Sequence, residues 1–292
     1  MKPIYFKSAL VIMFSSLLGV NQACNQKGED VIDDLQTQKT KPESIMGYYK
    51  AFTEAADGKF ALKSFTTFAS QDEKEAWSSR LDGVFFDKNG KTIPGGNVQI
   101  GDIELKTDPQ NSSYYYSDTS VPDAGKHLHG SKIKVSINPK VGSNLRTTAD
   151  TVSSEIYVPR LVRIIDPIKY KDSDNQPYMP IKAGGRIAWE IDVKNEKGIV
   201  ILLEYDPFSV ENEYLQEKGQ LMNGKIKKAS ALTLKDTDGA YTFSNDDLKD
   251  FPANAVVNLT IGRANFITLR EKEFSYTFFA YTVVVSPFQI KK

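Results

Sequence analysis

Beyond Lys59 the chain alternates apolar and polar side chains with a period of two, the repeat of a strand that buries one face. Segments 60–69, 76–87, 97–105 and 132–137 each alternate or cluster apolar residues, and turn-forming sequence separates them. The sharpest turn is Asp87-Lys88-Asn89-Gly90-Lys91, because Asn-Gly readily takes the positive φ angles of a tight hairpin. This pattern predicts a β domain over 44–155. Its opening is ambiguous: Ile45, Tyr48, Tyr49, Phe52 and Ala56 recur at helical spacing between a Ser44 cap and an Asp57-Gly58 stop, yet Tyr and Phe also suit an edge strand.

A second β domain is predicted over 156–292. It begins with IYVPRLVRIIDPI, where Pro159 and Pro167 suit a linker and an edge strand. After Gly184-Gly185, Ile187, Trp189, Ile191 and Val193 fall on one face, and Arg186, Ala188, Glu190, Asp192 and Lys194 on the other. One face is expected in the core and the other in water. The run 199–205 is apolar on both faces until Glu204, which predicts a central strand. A strand over 239–243 is followed by Ser244-Asn245-Asp246-Asp247-Leu248, a helical turn capped by Ser244 with Asp247 where Glu usually stands. Segments 255–263 and 273–285 supply two final strands. No repeat at solenoid spacing is present.

Two resemblances give these strands an architecture. The order of Trp strand, central strand, strand with capped turn and two closing strands resembles a cysteine-free immunoglobulin-like sandwich over 160–288, which implies a core role for Trp189. The run GVFFDKNGKTIPGGNVQIGDIEL, 83–105, resembles the opening hairpin of small transthyretin-like and carboxypeptidase-regulatory-like sandwiches of exported proteins. The expected fold is all-β, two β-sandwich domains with the second immunoglobulin-like.

The first 43 residues break the pattern. Lys2 and Lys7 precede an uncharged apolar run, ALVIMFSSLLGV, of signal-peptide length. It falls short of the roughly 20 apolar residues that span a bilayer. The one cysteine of the chain, Cys24, follows Asn21-Gln22-Ala23, so 1–23 resembles the signal peptide of a bacterial lipoprotein, with Cys24 as the acylated residue. Leu18 and Val20 lie upstream of where the usual lipobox leucine stands. A single thiol with no partner fits an exported chain poorly unless it is lipidated. The NQKGED that follows resembles the export signal of Bacteroidota-type lipoproteins, which implies the outer membrane and an outward-facing chain, with the periplasmic face as the alternative. Residues 25–43 are polar and too poor in apolar side chains to fold, a tether that places the folded part on the order of 25 Å from the lipid.

Composition narrows the function. With 37 basic and 37 acidic residues among 292, and no basic stripe interleaved with aromatics, nucleic acid is not an expected partner. No G-x-S-x-G elbow, HExxH or phosphate loop occurs, and no cofactor is expected. His127 and His129 in KHLHG would share one face if extended and form a weak metal pair lacking further ligands. Asp172-Ser173-Asp174-Asn175 and Asp236-Thr237-Asp238-Gly239 offer oxygens at alternate positions, but neither loop ends in the bidentate Glu that calcium loops require. Asp236 and Asp238 stand as weak metal candidates beside a plain turn. Tyr114-Tyr115-Tyr116 carries the ligand candidates: Tyr114 and Tyr116 would share a strand face able to stack on a sugar, against a structural role for the same rings. Asp150-Thr151-Val152 resembles an O-glycosylation acceptor of Bacteroidota. The functional expectation is a lipid-anchored, non-catalytic binding or scaffolding module, an accessory component of surface glycan or nutrient capture that holds an extracellular glycan or a partner of a nutrient-uptake complex. The alternative is an adhesin-like or envelope-assembly protein with a protein partner, and a carboxylate-dependent hydrolase ranks third.

Overall fold

The computed structural model describes residues 56–67, 77–87, 89–115, 123–139, 151–166, 178–221, 226–271 and 274–292. The signal segment, Cys24, the tether, the Ser44-led segment, Tyr116, Asp150 and Asp172–Asn175 lie outside them.

Three strands form where the period-two pattern predicts them, at 60–69, 76–87 and 132–137. β1 (Gly58–Thr67) pairs antiparallel with β2 (Ser78–Phe86), and β3 (Thr92–Ile93) folds back on β2 through the Asp87 turn. There the Asp87 carboxylate accepts from Asn89 N at 2.8 Å and Lys91 N at 2.9 Å. The segment expected as one strand over 97–105 is a hairpin, β4 (Gly96–Ile100) and β5 (Ile103–Thr107). Gly101, at φ 62, takes a left-handed turn conformation that the alternation pattern does not register. β6 (Tyr114–Tyr115), β7 (Lys132–Pro139) and β8 (Val152–Tyr157) follow. Next come β9 (Ile164–Asp166), β10 (Met179–Ile181), β11 (Arg186–Trp189) and β12 (Ile199–Tyr205). Helix α1 (Val210–Glu217) connects β12 to β13 (Lys228–Leu234), and β14 (Ala240–Thr242) leads to α2 (Asn245–Leu248). The chain closes with β15 (Val256–Glu271) and β16 (Phe274–Ile290).

The fold is all-β and sandwich-like. One mixed sheet runs β13-β12-β15-β16-β1-β2-β6-β5-β4-β7-β8, with β10 beside β16 and β3 beside β2, and a small sheet runs β14-β11-β9. The run 199–205 is central, between β13 and β15. Ser244 caps α2 reciprocally with Asp247, as its sequence predicts. Hydrogen bonding crosses residue 155: β1 pairs parallel with β16 over Gly58–Thr67 and Tyr276–Val285.

The Trp strand departs from expectation. β11 ends at Trp189; Ile191 and Val193, expected in the core, are 42% and 69% exposed, while Asp192, expected in water, is 1% exposed. The chain turns here, with Asn195 N donating to Asp192 O at 2.9 Å. The Asp192 carboxylate then points inward, accepting from the Tyr157 hydroxyl at 2.7 Å and Arg160 N at 2.8 Å. Burial of these polar groups follows their satisfaction, not the hydropathy period.

Two apolar cores line one face of the same long strands. On β16, Val284, Phe288 and Ile290 belong to the first core and Tyr276, Phe278 and Ala280 to the second. On β15, Val257, Leu259 and Ile261 belong to the first core and Leu269 to the second. Between them the register aligns a polar row across four strands: Ser79 opposite Ser64, Ser64 opposite Thr282, and Thr282 opposite Arg263. All four are buried. This row divides the apolar interior in two.

Candidate functional site

Above the polar row lies a cleft of about 710 Å³ lined by Trp77, Lys126, His129, Arg160, Leu161, Val162, Arg163 and Glu190. Most of its walls come from two segments, the turn around Lys126–Leu128 and the extended stretch between β8 and β9, with Trp77 and Glu190 completing the lining. Both segments are fastened to the row beneath. His129 Nε2 accepts from Ser64 Oγ at 2.6 Å, and Ser64 Oγ lies 2.7 Å from Ser79 Oγ. Val162 N donates to Thr282 Oγ1 at 3.3 Å.

Arg263 is the main fastening. Its Nε donates to Asp236 Oδ2 at 2.6 Å and its Nη2 to Asp236 Oδ1 at 2.8 Å, a two-pronged pair in which both side chains are 1% exposed. Its Nη1 donates to the carbonyls of Arg160 at 3.3 Å and Leu161 at 3.1 Å, and Nη2 also donates to the Glu190 carbonyl. One guanidinium therefore fixes the backbone of three cleft residues. Asn195 Nδ2 donates to Asp236 Oδ2 at 2.8 Å, and Asp192 N donates to Oδ1 at 3.2 Å, so the carboxylate is fully engaged. Trp189 Nε1 donates to Asp236 O at 3.0 Å, which holds the core indole against the same turn.

The histidines do not form a metal pair. The KHLHG segment is a short 3-10 turn, so the two rings diverge. His127 is exposed and bonds Asp102 Oδ1 at 2.9 Å through Nε2. His129 turns inward and donates from Nδ1 to Pro159 O at 2.7 Å. Burial pushes its pKa down to about 4, so the ring is neutral at physiological pH. Asp236 is the counter-ion of Arg263 rather than a cation ligand, and Asp238 sits in the 3-10 turn Asp236–Asp238. Among the described residues no three His, Cys, Asp or Glu gather as a metal would require.

Tyr114 is not an exposed stacking face either. It is 1% exposed, packs edge-to-face on Phe60 and Phe85, and its hydroxyl accepts from Gly95 N at 3.0 Å and Gly96 N at 2.9 Å. The pleat points its neighbour Tyr115 outward instead. Trp189 is buried in the first core, as expected.

The cleft residues Trp77, Lys126, Arg160, Arg163 and Glu190 were not apparent from motifs, since they come from distant segments with no spacing rule. One signal was available: in the series Val257, Leu259, Ile261, Arg263 an arginine continues a core-facing alternation, and such a residue must find a buried partner.

Chemically, the Ser64–His129 pair has the hydrogen bond of a nucleophile and base, with the Pro159 carbonyl in the orienting place. Ser64 is 0% exposed, however, so its oxygen does not open onto the cleft. Among the described lining residues the accessible groups are Lys126, Arg160, Arg163, Glu190 and part of Leu161.

No family model matches this chain, and no curated protein is similar to it. Among solved structures it is similar to the yeast delta-COP-I mu-homology domain, at 10% identity over 82% of this chain and 99% of that one. The TM-score is 0.23, too low to carry an argument about fold or function.

Proposed function

We propose that the protein is a non-catalytic binding module of the bacterial cell envelope, anchored to the outer membrane by lipid on Cys24, facing outward and capturing an extracellular glycan in the cleft. The cleft carries this reading. Its volume falls in the range of small-ligand sites, and it combines a small apolar contact with a few polar groups. Its backbone is held beforehand by Arg263, which lowers the ordering cost of binding. The burial of Ser64 supports binding without turnover.

Location is tested by treating intact cells with protease beside a periplasmic control. Loss of the protein while the control survives supports the outward reading; protection in cells whose other surface proteins are shaved contradicts it. Cys24→Ala should abolish acylation and release the chain or leave a precursor. An unchanged membrane-bound mature variant would remove the anchor from the account.

A second reading, a scaffold with a protein partner, draws on a different observation. Phe208, Val210, Tyr214 and Ile226 are all strongly exposed, and all lie in the connection between β12 and β13. Val210 and Tyr214 share one face of α1 by their spacing. A photo-crosslinker at Val210 that captures one defined envelope protein in cells, with loss on Tyr214→Asp, would favour this reading over the glycan.

A further inference from the structure

The cleft's charge specifies its ligand more narrowly. Among the described lining residues three side chains are cationic, Lys126, Arg160 and Arg163, against one carboxylate, Glu190. His129 adds no charge, because both ring nitrogens are committed inward and burial keeps it neutral.

Among the described ion pairs those of the cleft are longer than most. Elsewhere Lys63–Asp82, Lys132–Glu155, Arg186–Asp166 and Lys227–Asp206 close at 2.7–2.9 Å. In the cleft, Lys126 stands 3.4 Å from Asp123, and Arg163, which has a further partner, stands 3.7 Å from Glu190. Arg160 forms no ion pair among the described residues, although its main chain is held at both ends: its amide by Asp192 and its carbonyl by Arg263. Its stem also lies over Gly130, where a Cβ would sit 3.1 Å from Arg160 Cγ and the φ of 77 already disfavours a side chain. The stem is therefore located while the guanidinium meets no carboxylate among the described residues. A guanidinium presents a planar fork that matches an oxyanion. Beside it, the half-buried Leu161 and the accessible edge of Trp77 offer a small apolar contact for the C–H face of a sugar ring.

We infer that the cleft takes an acidic glycan, whose carboxylate or sulfate oxygens pair with Arg160 and Lys126 while the ring lies against Leu161. This rests on the proposed reading of the cleft as a glycan site and adds the anionic requirement to it. Asp123 and Glu190 would then give up their loose contacts to the incoming oxyanion. Glu190 also turns away ligands carrying a second anionic group on that side.

The test is calorimetric titration of the full chain, solubilised in non-ionic detergent, with glucuronate, galactose 6-sulfate, neutral galactose and inorganic phosphate. The two acidic sugars are expected to bind at one site and to weaken as salt rises. Arg160→Gln should cost about tenfold in affinity, the scale of one charge-assisted hydrogen bond. Lys126→Gln should weaken binding in the same direction, and Arg186→Gln, an exposed cation elsewhere, should change nothing. Which acidic sugar binds tighter distinguishes the carboxylate from the sulfate. Galactose binding as tightly as glucuronate, with Arg160→Gln and Lys126→Gln unchanged, overturns the anionic requirement and leaves a neutral-glycan cleft standing. Phosphate matching glucuronate removes the sugar contact from the account. Absence of binding by both acidic sugars overturns the inference, and a panel of neutral oligosaccharides then decides the broader reading separately.

Discussion

Replacing Arg263 by Met removes a guanidinium from the centre of the molecule while nearly keeping its length. The variant loses two charge-assisted bonds to Asp236 and three bonds to the carbonyls of Arg160, Leu161 and Glu190. Asp236 would keep Asn195 Nδ2 and Asp192 N as donors, but no cation. Breaking a buried pair from one side costs about 3–5 kcal/mol, because the charge left behind stays out of water. Against a total stability of about 5–15 kcal/mol, that is a large share. The double variant Arg263→Met/Asp236→Leu removes both charges, so most of this loss should return, leaving the three carbonyls and the Asp192 amide as the residual cost. Urea unfolding of the wild type, both single variants and the double variant would measure the coupling. A single Arg263→Met variant within about 1 kcal/mol of wild type, or a double variant no better than the worse single one, would refute the view that this pair holds the boundary between the two cores.

Other outcomes follow from the same structure. Tyr114→Phe takes away the acceptor of two buried amides, at Gly95 and Gly96, and should cost about 1–3 kcal/mol in urea unfolding with the fold retained. His129 has an ordinary pKa of 6.5 that burial lowers to about 4, so the unfolded chain takes its proton first. Its contribution is full above pH 6.5 and is lost as pH falls toward 4, on the order of 3 kcal/mol. Glu204 runs the other way: burial, with Asp206 nearby, raises its pKa from 4.5 to about 7, so its contribution is full below pH 4.5 and is lost as pH rises through 7. Between about pH 4.5 and 6.5 the two trends offset, and the melting temperature of the wild type should be nearly flat from these groups. Glu204→Gln should make it rise with pH over that window and gain about 2 kcal/mol at pH 8. A thermal-melt series in which Glu204→Gln is less stable than wild type at pH 8 would contradict this assignment.

Much of the fold was legible because alternation and turn chemistry act locally. The Asp87 turn, the Ser244 cap and the central position of 199–205 all follow from neighbouring residues. What alternation does not encode is register between distant strands. The parallel pairing of β1 with β16 joins residues more than two hundred positions apart, and that pairing aligns Ser64 with Thr282 and Arg263. Asp192 and Ile191 changed places for the same reason: a buried network of Tyr157, Arg160 and Asp236 outweighs the hydropathy of one short strand. The cleft was hidden because its residues are brought together only by this long-range register. Asp236 drew notice as an oxygen ligand, and its carboxylate does bind a cation, the guanidinium of Arg263.

Hydrogen–deuterium exchange of the full chain, with and without saturating glucuronate, tests the central claim most directly, that the cleft above the polar row is the ligand site. Slower exchange confined to 123–130 and 158–163, the two segments that wall the cleft, is the expected result. Protection centred on 208–226, or none in the cleft segments when glucuronate is bound, would contradict it.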